Sequence, residues 1–128
     1  MQASHELSGP NVAYLENSDF NSEGRLINRD IPKGLPVVVM IFASWCHHCQ
    51  VASPAFQNFA NKNSGKVFCA AIQSDGSRET EKELFKRIKE IYPDFKGFPD
   101  FLLFKNGTMQ KKTIKGRDES HLIEFAGQ

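Results

Sequence analysis

Two cysteines separated by two histidines form the stretch of this 128-residue chain with the clearest chemical potential. Trp45, Cys46, His47, His48 and Cys49 follow one another directly after an apolar run. Thiols three residues apart can form and break a disulfide, whereas thiols together with imidazoles can bind zinc. Buried cysteines can also be inert parts of a core. The stretch therefore predicts a redox-active pair, part of a metal site, or core packing.

The elements around the two cysteines favour the redox interpretation. Residues 36–44 are continuously apolar, which predicts a central strand covered on both faces. Apolar residues recur at helical spacing over 51–62, with Pro54 interrupting and expected to kink the helix. The cysteines thus lie between the carboxyl end of a strand and the first turn of a helix, where α/β proteins place their sites.

This position assigns different roles to the two thiols. Helix residues three apart have Cβ atoms about 5–6 Å apart, and a disulfide needs about 3.5–4.5 Å, so a small adjustment closes the bond. Free N–H groups at a helix start stabilise a thiolate, so we expect Cys46 to be the nucleophile. We expect Cys49, one turn deeper, to attack the resulting mixed disulfide and release the product.

The two histidines are candidates for tuning this chemistry. A protonated imidazole near Cys46 would favour the thiolate and make the disulfide more oxidising. His48 is the better candidate because it lies closer along the turn to both sulfurs, and His47 either contributes or faces solvent. A zinc site needs four converging ligands, but consecutive residues on one helical turn fan outward. We therefore expect no metal, although two of these residues could share a site with another chain.

The remaining sequence predicts alternating strands and helices. Thr80 and Glu83 have capping-box spacing, and Asn106-Gly107 is a strong hairpin signal. Two βαβ units leading into a hairpin predict a mixed sheet with helices on both faces. The predicted elements are strands at Val12–Leu15 and Lys66–Ile72, helices at Phe20–Ile27 and 79–92, a hairpin of Phe101–Phe104 with Met109–Ile114, and a closing helix capped by Asp118.

Composition narrows the classes of partner and compartment. A net charge of +1 gives no electrostatic reason to expect nucleic acid as a partner. No apolar stretch approaches the roughly 20 residues of a membrane span, and the amino terminus lacks the pattern of a secretory signal. Three cysteines are too few for a disulfide scaffold, so we expect a reducing, cytoplasmic compartment. Residues 1–11 are polar and expected to be flexible.

Several separated features together resemble the thioredoxin family. The family has a W-C-x-x-C motif, a proline where Pro54 follows Cys49 by five positions, a cis-proline segment similar to GFPDFLLFKNG, and a glycine matching Gly116. The resemblance spans residues 12–126 and implies a thioredoxin-like α/β fold over 1–128. It implies thiol–disulfide exchange with protein substrates by a monomer without cofactor, which exchanges electrons with a reductase or an oxidant and serves cellular redox homeostasis.

The resemblance also implies a client-binding loop. It implies that the Phe98–Pro99 peptide bond is cis and lies against the cysteines, that the Phe98 backbone pairs with an extended client, and that Trp45 is an exposed platform beside the site. Without the resemblance, core packing would explain Phe98 and Trp45, and a strand start would explain Pro99.

Three departures from the family pattern affect the expected activity. Met40 replaces the buried acid that reductases of the family carry six residues before the first cysteine. His-His replaces the usual Gly-Pro, and a histidine just before the second cysteine, here His48, is similar to the family's oxidising and isomerising members. The stretch between Ile72 and Pro99 is longer than in a minimal member of the family. It contains a charged helix, which is either a partner surface or a solvated face. We expect reductase-like activity; the alternatives are an oxidase or isomerase tuned by His-His, and a non-enzymatic binding or redox-sensing module. We expect Cys69 to be buried and inert, with a regulatory or intermolecular role as the alternative.

Overall fold

A mixed five-stranded sheet forms the centre of the computed structural model, which describes residues 11–128. Along the sheet the strand order is β1-β3-β2-β4-β5. β3 pairs in parallel with β1 and β2, and β4 pairs antiparallel with β2 and β5. The strands are β1 Val12–Tyr14, β2 Val37–Phe42, β3 Phe68–Gln73, β4 Asp100–Lys105 and β5 Thr108–Met109.

Helices cover both faces of this sheet. The helices are α1 His47–Lys62, α2 Glu79–Lys86, α3 Ile88–Ile91 and α4 Glu119–Ala126, with a 3-10 helix at Asn17–Asp19. α1 and α4 share one buried apolar cluster, whereas α2 and α3 belong to a second cluster. The predicted fold class, a mixed sheet between two helical layers, is confirmed.

The middle strand shows why the apolar run needed no alternation. Every residue of β2 is buried. Val38 and Met40 point into the α1–α4 cluster, while Val39 and Ile41 point into the α2–α3 cluster. A strand covered on both faces is apolar at every position, as the sequence predicted.

The predicted helix at Phe20–Ile27 is wrong. Phe20 instead pairs with Leu26 in an isolated antiparallel bridge. The side chain of Asn21 accepts N–H groups from Glu23 and Arg25 at 2.9 and 3.0 Å, and such local bonding by Asn favours turns over helix.

The predicted helix over 79–92 is divided at Arg87. The Arg87 guanidinium donates to the side chain of Asn17 and to the carbonyl of Asn21, at 2.7 Å each, and joins the divided helix to the segment after β1. The predicted capping pair of Thr80 and Glu83 is also wrong, because α2 is capped at Arg78 instead.

The cap at the start of α2 uses residues two positions earlier than predicted. The Arg78 N–H donates to the Glu81 carboxylate at 3.1 Å. The Thr80 hydroxyl is already engaged, since it donates to Glu16 at 2.6 Å. The residue that the pattern named as the cap therefore fastens the helix to another segment.

The end of the chain follows the predictions more closely. Asn106 and Gly107 have φ values of 52° and 81°, which suit a tight hairpin turn. β5 ends at Met109 and is shorter than the predicted strand Met109–Ile114, although the Gln110 N–H still donates to the Leu103 carbonyl of β4 at 2.7 Å. Asp118 caps α4 as predicted and accepts the His121 N–H at 3.0 Å.

Candidate active site

The start of α1 places the two cysteines one helical turn apart. The helix begins at His47, four residues before the predicted start, and Cys46 is its N-cap. The Cys46 Sγ accepts a hydrogen bond from the Cys49 backbone N–H at 3.2 Å. Both cysteines are free thiols. The contact gives the Cys46 sulfur a backbone donor at the start of the helix, the kind of partner that a thiolate accepts.

The two thiols are both buried, and Cys49 is the more so. The exposed fractions are 6% for Cys46 and 1% for Cys49. Burial and the hydrogen bond with Cys46 raise the pKa of Cys49 to about 12, against the smaller lowering effects of the Ala43 backbone and the Arg117 charge. At neutral pH the Cys49 thiol is therefore protonated and must lose its proton before it can attack a disulfide.

Met40, which stands where reductases of the family carry a buried acid, cannot take that proton. Met40 is fully buried in the apolar cluster that also contains Cys46 and Cys49. A thioether has no titratable proton. The departure from the family pattern at Met40 thus places an apolar side chain in the cluster that contains both cysteines.

Trp45 and the loop before β4 form the other wall of the site. The Trp45 side chain is 69% exposed, and its ring meets the edge of Phe98 with centroids 5.6 Å apart. The Phe98–Pro99 bond is cis, as the resemblance implied. Phe98 is half-buried and also packs against Phe85 and Phe95, so the core interpretation of Phe98 is correct alongside its place at the site.

The two histidines stand on the solvent side of the motif. Both side chains are exposed, with ring centroids 6.0 Å apart. In residues 11–128 neither ring hydrogen-bonds to a cysteine. His48 lines a shallow groove together with Val51 and Arg117. Arg117 was not singled out from the sequence, although it follows Gly116 in the segment that resembles the family.

Asp75 is a second site residue that the sequence analysis missed. Its carboxylate accepts the Ser44 N–H at 3.0 Å and the Ser44 hydroxyl, and the Gln73 amide at 3.1 Å. Burial raises the pKa of Asp75, but these hydrogen bonds outweigh it and hold the pKa below its ordinary value. Gln50 from α1 donates to the Ser44 carbonyl at 2.9 Å. The loop before Trp45 is therefore fixed from both sides.

The signal for Asp75 was available in the predicted topology. Ser44 follows β2 and Asp75 follows β3, and these parallel strands end at the same edge of the sheet. Polar residues just beyond such strand ends meet there.

Within residues 11–128, no three side chains of His, Cys, Asp or Glu come together in a way that could hold a metal ion. None of the helices in that range is long and apolar enough to span a membrane.

Comparison with known proteins agrees with this geometry. The family model described as Thioredoxin matches residues 11–128. The thioredoxin-like protein 453L of Invertebrate iridescent virus 6 is 35% identical over 126 residues, covering 89% of this chain and 91% of the viral protein. A thioredoxin of Haemophilus influenzae is 25% identical, covering 91% and 95% of the two chains.

Disulfide isomerases match only in part of their length. Protein disulfide-isomerase 2-3 of Arabidopsis thaliana is 29% identical over 96% of this chain, but the match covers 25% of that protein. Among solved structures, the Trx4 domain of ERdj5 superposes with a TM-score of 0.60 at 19% identity, covering 91% of this chain and 92% of the domain. The structural match shows a common fold.

Proposed function

The chain belongs to the thioredoxin family and is a thiol–disulfide oxidoreductase, and from that premise we propose that Cys46 and Cys49 are its reacting thiols. The observation that carries the proposal is the N-cap position of Cys46, whose Sγ accepts the Cys49 N–H at 3.2 Å. We further infer that the chain carries a single domain of this kind, since the family model matches residues 11–128.

The proposed exchange proceeds in two successive nucleophilic attacks. The Cys46 thiolate attacks one sulfur of a client disulfide, which breaks and releases the other client sulfur as a thiolate. The Cys49 thiol then loses its proton to solvent, and its thiolate attacks the Cys46 sulfur of the mixed disulfide and releases the second client sulfur as a thiolate. Two electrons pass to the client, and the chain is left with a Cys46–Cys49 disulfide that a reductase must reduce. Trp45, Phe98 and Pro99 present the client strand.

We propose that this chain works chiefly in the reducing direction, as a cytoplasmic monomer. The matches that extend over most of both chains are with a thioredoxin and a thioredoxin-like protein, whereas the isomerase match is confined to a quarter of a longer protein. Three cysteines with a single reactive pair suit a reducing compartment. His47 and His48 would tune the redox potential of the pair.

Isomerase-like activity is the second candidate. The pKa of Cys49 near 12 and the apolar side chain of Met40 both slow the step that resolves the mixed disulfide. A mixed disulfide that persists gives the client time to rearrange its own disulfides. An oxidising pair with the same slow step would favour isomerisation over net reduction.

Two measurements test the proposed function. The first tests for catalysis, and the second separates a reductase from an isomerase or oxidase. Steady turnover of insulin disulfides, with a chemical reductant supplying electrons, is expected for the wild type, and no turnover would indicate a non-enzymatic binding module. Titration of the Cys46–Cys49 pair against glutathione gives its potential. A value near about −270 mV would support the reductase, and one between roughly −180 and −120 mV the isomerase or oxidase.

A further inference from the structure

The loop between α3 and β4, which carries Phe98, depends on side-chain packing for its position. Residues 93–99 belong to neither a helix nor a strand. The Phe98 side chain is half-buried and lies against aromatic rings. Its ring centroid is 5.3 Å from that of Phe95, 5.6 Å from that of Trp45 and 5.8 Å from that of Phe85. These rings therefore limit where the loop can present its backbone.

Of these ring partners, Phe85 belongs to a helix. Phe95 is part of the same loop as Phe98, and the Trp45 side chain is largely exposed. Phe85 instead lies within α2, next to Leu84, which is fully buried. The contact between Phe85 and Phe98 therefore ties the irregular loop to a regular element.

α2 is itself fastened to the rest of the fold at its first turn. The buried Glu81 carboxylate accepts the Arg78 N–H at 3.1 Å. The Arg78 guanidinium pairs with Glu16, which follows β1, at 2.8 Å, and the Thr80 hydroxyl donates to the same carboxylate at 2.6 Å. These contacts leave α2 little freedom to follow a movement of the loop, so Phe85 is a fixed support.

We propose that Phe85 is a positioning residue for client binding, whose ring holds Phe98 where the loop backbone can pair with an extended client. This inference rests on the proposed function, because the client reaches Cys46 across that loop. The centroid distance of the two phenylalanines lies within the range in which aromatic pairs attract each other. A loop that already has its binding position loses less freedom when the client binds, which increases affinity. The apolar side of α2 would thereby support the client-binding loop.

The test compares two disulfides. Insulin can lay an extended strand along the loop, whereas hydroxyethyl disulfide is too small to do so. Phe85→Ala should lower kcat/KM for insulin about three- to tenfold, mainly through a higher KM, which is the fold-change of one lost aromatic contact. The same variant should leave kcat/KM for hydroxyethyl disulfide and the redox potential of the Cys46–Cys49 pair unchanged. Phe85→Tyr, which keeps the ring, should retain the wild-type KM.

Phe68→Ala is the matched control. Phe68 is also half-buried and packs against the same apolar cluster as Phe85, but it begins β3, at the end of the strands opposite to the cysteines. Phe68→Ala should therefore leave the KM for insulin unchanged. Trp45 gives a second readout, because it is the only tryptophan of the chain and its ring contacts Phe98. Fluorescence anisotropy decay should show faster local motion of Trp45 in Phe85→Ala and not in Phe68→Ala.

Three results would overturn the proposal: an unchanged KM for insulin in Phe85→Ala, an equal loss with both disulfides, or an equal loss in Phe68→Ala. Phe85→Leu carries the same test if Phe85→Ala does not fold, since leucine fills much of the space without a ring. If the wild type reduced insulin and only the comparison of variants failed, this inference alone would fail. If the wild type reduced neither disulfide, the proposed function would fail with it.

Discussion

The start of α1 and strand β3 place cysteines in two different environments, although the cysteines are buried in both. Cys46, Cys49 and Cys69 are all buried, with exposed fractions of 6%, 1% and 2%. Only Cys46 occupies a helix N-cap, where a backbone N–H points at its sulfur. For Cys69, burial alone raises the pKa to about 12.

The difference shows that burial does not separate a reactive thiol from an inert one. A buried thiolate needs hydrogen-bond donors in place of the water molecules that solvate an exposed one. Inside a strand, however, the backbone N–H groups already donate to the neighbouring strands. Cys69 is flanked by β1 and β2, with which its strand is paired on both sides. Under the proposed assignment, the position of Cys46 at the start of a helix therefore distinguishes it from Cys69.

The largest expected effect comes from replacing the nucleophile. Cys46→Ser should abolish insulin reduction, a loss on the order of a thousandfold or more, because a serine hydroxyl at this position forms no disulfide. Cys69→Ala is the matched control and should retain turnover close to that of the wild type. Comparable losses in both variants would remove the distinction between the two regions.

The second effect is a pH dependence of the resolving step. Burial is the largest cause of the raised pKa of Cys49 and does not depend on the Cys46 thiol, so we expect Cys49 to be largely protonated in the mixed disulfide as well. The fraction of thiolate, and with it the resolution rate, should rise about tenfold per pH unit between pH 7 and 9. Stopped-flow release of the second client thiol measures this rate. A rate that stays flat over this range would show that another group removes the proton.

A third effect concerns the stability of the β3 region. Cys69→Ser should lower the free energy of unfolding by about 1–3 kcal/mol, because it places a hydroxyl at a buried position within an apolar cluster. Urea denaturation measures this change. Ser64→Cys makes the reverse exchange at an exposed position, and it serves as the control that shows whether the cost comes from burial. An unchanged midpoint for Cys69→Ser would contradict the description of Cys69 as an inert core thiol.

The smallest effect is expected at Arg117. Its charge lowers the pKa of Cys49, so Arg117→Gln should raise that pKa further and slow resolution about two- to threefold, as expected for an exposed charge acting across solvent. Arg29→Gln, also exposed, removes the same charge elsewhere and should leave resolution unchanged. Equal rates in the two variants would exclude a local influence of Arg117.

The sequence predicted the parts of the site that depend on periodicity and position along the chain. The apolar run of β2 and the cap at Asp118 were correct because their causes are local. The place of Cys46 near the free N–H groups of a helix start was predicted for the same reason, although the helix begins at His47, before the predicted range of 51–62. The cis bond before Pro99 came only from the family resemblance.

The parts that failed depend on contacts between distant segments. Thr80 looked like a helix cap, but its hydroxyl bonds to Glu16. The break at Arg87 coincides with its bonds to Asn17 and Asn21, which no local pattern reveals. Asp75 was missed because its partner, Ser44, lies 31 positions away along the chain.

Trapping of the mixed disulfide tests the central claim most directly. The Cys49→Ser variant should capture a disulfide-containing client as a stable covalent complex, and mass spectrometry should place the bond at Cys46. The Cys46→Ser variant should capture none, with Cys49 and Cys69 both left as free thiols. A complex joined through Cys49 or Cys69, or capture by the Cys46→Ser variant, would contradict the assignment of the attacking thiol to the start of α1.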